Sequence, residues 1–147
     1  MAATVYSRVN SITSQTCTRL LVAKTKLSPI RSLRPPATKA PRMTIPHLEL
    51  RAALLAAQLL RSLASELDIS TENCIAWIDS QIVLHWLRST KPTGNVLIDN
   101  YIEHVQELLP ASIWHYVPTE SNPEDLASRC VEPQQLLSCK LWWTGLD

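Results

Sequence analysis

Apolar positions recur along the chain with two different periods, and the changes from one period to the other mark out its elements. Residues 2–9 alternate, with Ala3, Val5 and Val9 on one side and Thr4, Tyr6 and Arg8 on the other, the pattern of a half-buried strand. A short apolar run from Leu20 to Ala23 follows a polar Ser/Thr/Gln stretch, so a second strand joined by a hairpin loop is expected. Pro46, shortly after Thr44, opens a helix expected to reach about Leu67. Leu54, Leu55, Leu59, Leu60, Leu63 and Leu67, among many alanines, give it a broad apolar face, and Arg51, Gln58, Ser62 and Ser65 mark its wet side.

The second half of the chain continues the alternation of element types. Cys74 to Ile78 is a continuous apolar run of strand length, expected to be buried on both faces. It ends in Asp79-Ser80 and passes at once into a helix with Ile82, Val83, Trp86 and Leu87 on one face. After Lys91-Pro92-Thr93-Gly94-Asn95, a further helix sets Ile98, Ile102, Val105 and Leu109 in register and stops at Pro110. From Ser112 to Val117, Ile113, His115 and Val117 alternate with Trp114 and Tyr116, as in an outer strand. A polar loop then leads to a last helix start, with Asn122 as N-cap, Pro123 at the first position and Asp125 at the third. A hairpin followed by helix, strand, helix, helix, strand and helix is an α/β arrangement.

Length and composition narrow this picture. The 147 residues suit one domain, and no apolar run approaches the ~18 to 20 residues of a membrane span, so a soluble chain without a membrane partner is expected. Hydrophobic residues make up 46% of the chain, enough for a real core, although Phe is absent and Leu and Trp must fill it. The two glycines, Gly94 and Gly145, lie far apart, which excludes a Walker loop or a GxGxxG turn. The cysteines at 17, 74, 130 and 139 show neither a CxxC nor zinc-finger spacing, and read as free thiols.

The net charge of +1 hides a sorting of charge along the chain. Eight basic residues and no acidic one precede Glu49, whereas from Glu49 onward 13 acidic residues face 6 basic ones. An acid-free, Arg-, Ser- and Thr-rich start is also the composition of a mitochondrial import sequence, although the strand-like alternation of residues 2–9 fits a hairpin better than a presequence helix. Pro29, Pro35, Pro36, Pro41 and Pro46, with Arg31, Arg34, Lys39 and Arg42 between them, make an extended basic linker. The expected organisation is thus a strand pair over 1–27, a Pro-rich basic linker or insertion over 28–45, and a body over 46–147.

Three carboxylates stand at chemically telling places. Glu49 shares a stripe with Ala53, Ala56 and Leu60, so it points toward the core side of the first helix; an acid favoured by the dipole of the first turn is the other reading. Asp79 sits at the carboxyl end of a buried strand, where open α/β sheets place ligands, or else it caps the next helix with Ser80. Asp125 lies in the first turn of the last helix, where bonding the orphan amides would be its plainer role. No nucleophilic Ser or Cys accompanies them. Hard divalent cations such as Mg²⁺ take a few carboxylates plus substrate phosphate oxygens, and a pair of such ions can drive phosphodiester hydrolysis.

The segments Thr44 to Ala53, Trp77 to Ser80, Asn122 to Arg129 and Leu141 to Gly145, together with Ala23 to Pro29, resemble the ribonuclease H domain of BEL/Pao-type retrotransposon polyproteins. The resemblance implies a ribonuclease H-like mixed sheet flanked by helices that cuts the RNA strand of an RNA–DNA hybrid with Mg²⁺ or Mn²⁺. Glu49, Asp79 and Asp125 would be the metal ligands. Reverse transcriptase and integrase regions of a polyprotein would be its neighbours, and its place of action cytoplasmic or nuclear. Shape and 2′-hydroxyl contacts would separate RNA from DNA.

Three departures from the family pattern carry expectations. The family's first strand bears an Asp that would have to precede Ala2, where Met1 stands, so a chain lacking that central strand and ligand, and weak or inactive alone, is expected. Thr119 and Glu120 occupy the region where cellular-type enzymes carry a His. The stretch from Arg34 to Arg42 reads as an insertion. The rival readings are a non-catalytic nucleic-acid-binding remnant and a mitochondrially targeted α/β protein.

Overall fold

The computed structural model describes residues 1–11, 16–27, 44–128 and 131–146. The linker expected over 28–45 therefore falls almost wholly outside the described residues, as does most of the hairpin loop. Two strands, β1 (Ala2–Asn10) and β2 (Thr16–Thr25), form an antiparallel ladder pairing Ala2 with Thr25 and Asn10 with Thr16. The ladder is longer than the apolar run from Leu20 to Ala23 suggests, because polar residues on an exposed hairpin pair as well as apolar ones. Ala3 and Val5 are buried as the alternation predicts, but Val9 is 62% exposed. A register shift between Val5 and Tyr6 breaks the period, and the outer half of the hairpin extends into solvent.

Helix α1 (Ile45–Glu66) begins one residue earlier than the Pro46 signal, with Thr44 as N-cap and the proline in the first turn. The Thr44 N–H donates to His47 Nδ1 at 3.1 Å, so the histidine closes the helix start where a capping box would ordinarily use Glu or Gln. Leu50 and Ala57 are wholly buried, and Ala53 and Ala64 nearly so, which puts the small-residue side of the helix deepest. The leucines expected to lead the apolar face flank that line, and Leu67 is 54% exposed. Gln58, Ser62 and Ser65 are exposed as expected, while Arg51 is half-buried.

The rest of the chain forms a second, smaller ladder with its helices. Strand β3 (Ala76–Ile78) pairs in parallel with β4 (Trp114–Tyr116), and the helices α2 (Gln81–Arg88) and α3 (Val96–Leu108) make the crossover between them. Expected burial of Cys74 to Ile78 on both faces is not observed. The strand covers only three residues, and Ile75 and Trp77 are 54% and 48% exposed. The only strand hydrogen-bonded to β3 among the described residues is β4, and Trp77 instead lies against His115, its cross-strand neighbour, with ring centroids 5.4 Å apart. In α2 the inward face is Val83, Leu84 and Leu87, turned by about one position from that expected, and Ile82 is exposed. The helix packs against both β4 and α3, so Leu84 has a neighbour that a single-sided pattern does not foresee.

Helix α3 matches its pattern: Ile98, Ile102, Val105 and Leu109 are all buried, and the Asn95 side chain accepts the Leu97 and Ile98 amides. Trp114 is buried to 1%, with Ile113 beside it, because a 3₁₀ turn over Ala111–Ile113 delays the strand and resets the alternation. One core unites Leu50, Ala53 and Ala57 of α1 with β3, α2, α3 and Trp114. Three short helices follow: α4 (Pro123–Ser128), α5 (Pro133–Ser138) and α6 (Lys140–Thr144).

The end of α6 is fastened to β1. The Tyr6 hydroxyl donates to the Trp142 carbonyl at 2.9 Å, and burial pushes the Tyr6 hydroxyl pKa up, which keeps it a donor. Gly145, at φ +65° and ψ −156°, ends α6 over the Tyr6 ring. A Cβ there would meet ring carbons at 3.2 Å. Replacing Gly145→Ala is expected to cost about 1–3 kcal/mol from backbone strain, and Leu50→Ala about 3 kcal/mol from the cavity it leaves. Urea denaturation monitored by circular dichroism checks both.

Candidate functional site

The site is built where the start of α4 packs on β1, with Asp79 at the end of β3 near enough to Glu124 to influence its carboxyl. Asp79 follows directly on β3 and is half-buried. The neighbouring Ser80 is the helix cap: its Oγ accepts the Val83 N–H at 3.4 Å, and the side chain is buried. Of the pair that could have capped α2, the serine does so, and the aspartate is left at the strand end.

Asn122 builds the other half of the site. Its side chain is 9% exposed and its Oδ1 accepts the Glu124 N–H at 3.1 Å, so the N-cap expected from the sequence is present. Pro123 starts α4, and Asp125 N–H donates to the Asn122 carbonyl. This start aims Glu124 at the first strand, where its Oε1 accepts the Ala2 N–H at 2.9 Å.

Glu124 is the residue that sequence reasoning missed. Burial raises its carboxyl pKa above the ordinary range, and repulsion from Asp79 and from Asp125 adds to the rise, against the Ala2 N–H and the amino terminus, which lower it. A carboxylate that feels both Asp79 and Asp125 places the two predicted acids in one electrostatic neighbourhood. The available signal was the Asn-Pro-Glu-Asp start itself: the cap that orients Asp125 orients the residue before it too.

Glu49 is placed differently. It is half-buried in the second turn of α1, past the first turn where the dipole reading would have set it. No interaction links it to Asp79, Glu124 or Asp125 among those resolved for the described residues. Nor does any group of three or more His, Cys, Asp or Glu among the described residues stand close enough to hold a metal ion. The donor chemistry nonetheless suits a hard divalent cation. Mg²⁺ is usually bound through one or two carboxylates with water and substrate phosphate completing the shell, so a preassembled cage is not required.

His47 has a local task in the Thr44 to Ala53 motif. Its Nδ1 receives the Thr44 amide, so in the neutral ring the proton is on Nε2, which is buried without a hydrogen-bond partner among the described residues.

Small sheets flanked by helices in a mixed α/β chain are the architecture of a ribonuclease H-like domain. The family model described as Pao retrotransposon-like RNaseH-like domain matches residues 1–80, more than half of the sequence, and the chain belongs to that family. The matched stretch carries β1, β2, α1 and β3, and with them Glu49 and Asp79; Glu124 and Asp125 lie after it. No match to the chain was found among curated proteins or solved structures.

A pH dependence follows from Glu124. Its raised pKa means that the folded state holds this proton more tightly than the unfolded state, so the associated stability is present below the ordinary carboxyl range and is lost as pH rises through the folded pKa. Glu124→Gln keeps an oxygen acceptor for the Ala2 amide and removes the charge. The variant is expected to gain stability relative to the parent between about pH 4 and about pH 7, with no gain at the acid end. Denaturation midpoints at the two pH values measure it.

Proposed function

We propose that the domain hydrolyses the RNA strand of RNA–DNA hybrids in a Mg²⁺-dependent reaction, as part of a retrotransposon polyprotein beside reverse transcriptase and integrase regions. The observation that carries this reading is the match of the chain to the Pao family, in which Asp79 and Asp125 both lie near enough to Glu124 to help raise its carboxyl pKa. Asp79 and Asp125 present carboxylate oxygens from two rigid supports, a strand end and a capped helix start. Glu49, in the second turn of α1, does not group with them among the described residues, so the ion would rest on the two aspartates, water and substrate phosphate. An ion held by Asp79 and Asp125 would supply charge neutralisation at a scissile phosphate. Ser80 and Asn122 act by fixing the backbone from which the two aspartates project.

The non-catalytic alternative, a domain that binds nucleic acid without cutting it, draws on one observation: the described acids do not form a three-ligand group.

Cleavage of an end-labelled RNA–DNA hybrid, with protein in excess over substrate, separates these readings. Residual Mg²⁺-dependent cutting that Asp79→Asn lowers by about 10³-fold or more supports the hydrolase. Binding of the hybrid with no cutting at any Mg²⁺ or Mn²⁺ concentration supports the non-catalytic alternative.

A further inference from the structure

Away from the carboxylates, at the outer part of the β1–β2 hairpin, the strands and α6 enclose an open groove of about 710 Å³. Arg8, Arg19 and Lys140 line it together with Cys17, Thr18 and Trp143, and none of the lining residues is acidic. The three cations are solvent-exposed. Arg8 faces Thr18 across the ladder and Ser7 faces Arg19, so the two guanidinium side chains leave opposite faces of the hairpin and flank the groove from either side. An anion in the groove would meet positive charge from both strands and from α6, with no carboxylate beside it.

The groove also holds an aromatic surface. Trp143 is 44% exposed, and its Nε1–H donates to the Leu136 carbonyl at 3.0 Å. That bond ties the indole to α5 and fixes the ring while part of its surface stays open. A pinned aromatic face beside a row of cations is what a sequence-tolerant site for single strands requires: the ring takes a base by stacking and the cations take the phosphates. Arginine suits the second task because its planar fork grips two phosphate oxygens at once. An inorganic anion would use the cations and leave the indole idle, and a flat membrane surface would not enter a groove.

Position separates this feature from the carboxylates. Ala2 contacts Glu124, whereas Arg8 lies six residues further along the same strand, about 20 Å away at the usual rise. We infer that the groove between the hairpin and α6 binds single-stranded nucleic acid, with a base stacked on Trp143 and adjacent phosphates held by Arg8, Arg19 and Lys140. It is a holding site for unpaired strand and uses neither the carboxylates nor a divalent cation. It goes beyond the proposed hydrolysis, and its test runs in chelator so that failure of one reading leaves the other standing.

The experiment is fluorescence anisotropy of a labelled oligothymidylate of about 15 nucleotides, titrated with the full chain in EDTA. Affinity is expected to fall with salt with a log–log slope of about −2, the value for three phosphate contacts on a single strand. Arg19→Glu, at an exposed position, is expected to weaken binding about tenfold or more and to flatten the slope by about 1. Trp143→Ala is expected to weaken it about tenfold, and Trp143→Phe, which keeps an aromatic face, to restore most of the loss. The exposed thiol of Cys17 in the groove gives a readout without mutation: saturating oligonucleotide slows its alkylation. Binding that is salt-independent, unchanged in both Arg19→Glu and Trp143→Ala, or matched by base-free polyphosphate overturns the proposal, as does unaltered Cys17 reactivity at saturation. Preferential capture by phosphatidylserine vesicles overturns it in favour of a lipid surface.

Discussion

The arrangement of the acids rests on one hydrogen bond, from the Ala2 amide to the Glu124 carboxylate, between residues 122 positions apart. It fastens the short helix α4 to the first strand and so decides where Asp125 stands. A helix of six residues has little stability of its own, because the nucleation cost is spread over few bonds. Its place is set from outside, by Asn122 at its start and by Glu124 on β1. The bond has a cost: a carboxylate is held near two others in a partly buried setting, and its proton affinity rises accordingly. Binding chemistry and stability pull in opposite directions at that point, which is the usual condition of a site built from like charges.

What could be read from the sequence depended on how far each element's surroundings are local. Helix α3 was legible to the residue, because Asn95 caps it, Pro110 closes it and its apolar stripe faces a single core. The hairpin was legible for its buried half and lost its pattern at the Val5/Tyr6 irregularity, which no period-2 rule contains. The faces of α2 and the exposure of Trp77 were not legible. Both depend on which neighbours the strand and helix acquire, and an apolar run states only that some neighbour is needed.

The acids divide in the same way. Asp79 and Asp125 stand at signals with a geometric meaning, a strand end and a helix start, and the structure places them at both. Glu124 could not be ranked above its neighbours, because its role is created by a strand met more than a hundred residues earlier in the chain. Glu49 was correctly set apart from the wet face of α1, yet periodicity fixes only a direction around a helix and says nothing of what lies in that direction. Membership of the Pao ribonuclease H-like family supplies the frame that periodicity lacks for residues 1–80, whereas the late acids rest on the geometry alone.

The Tyr6 hydroxyl and the Gly145 turn have a bearing on how the chain is made. β1 emerges from a ribosome early, but the partners that cover Ala2 and Tyr6, namely Glu124, Trp142 and Gly145, emerge some 120 to 140 residues later. Until then the hairpin is covered only by its own ladder and by α1, which packs on β1. Contacts of such long sequence separation are slow to form because loop closure must come before any reward. During synthesis the parts of β1 that later meet α4 and α6 thus stay open, and a chaperone or a neighbouring region of a nascent chain that shields them would act before the last helix is translated.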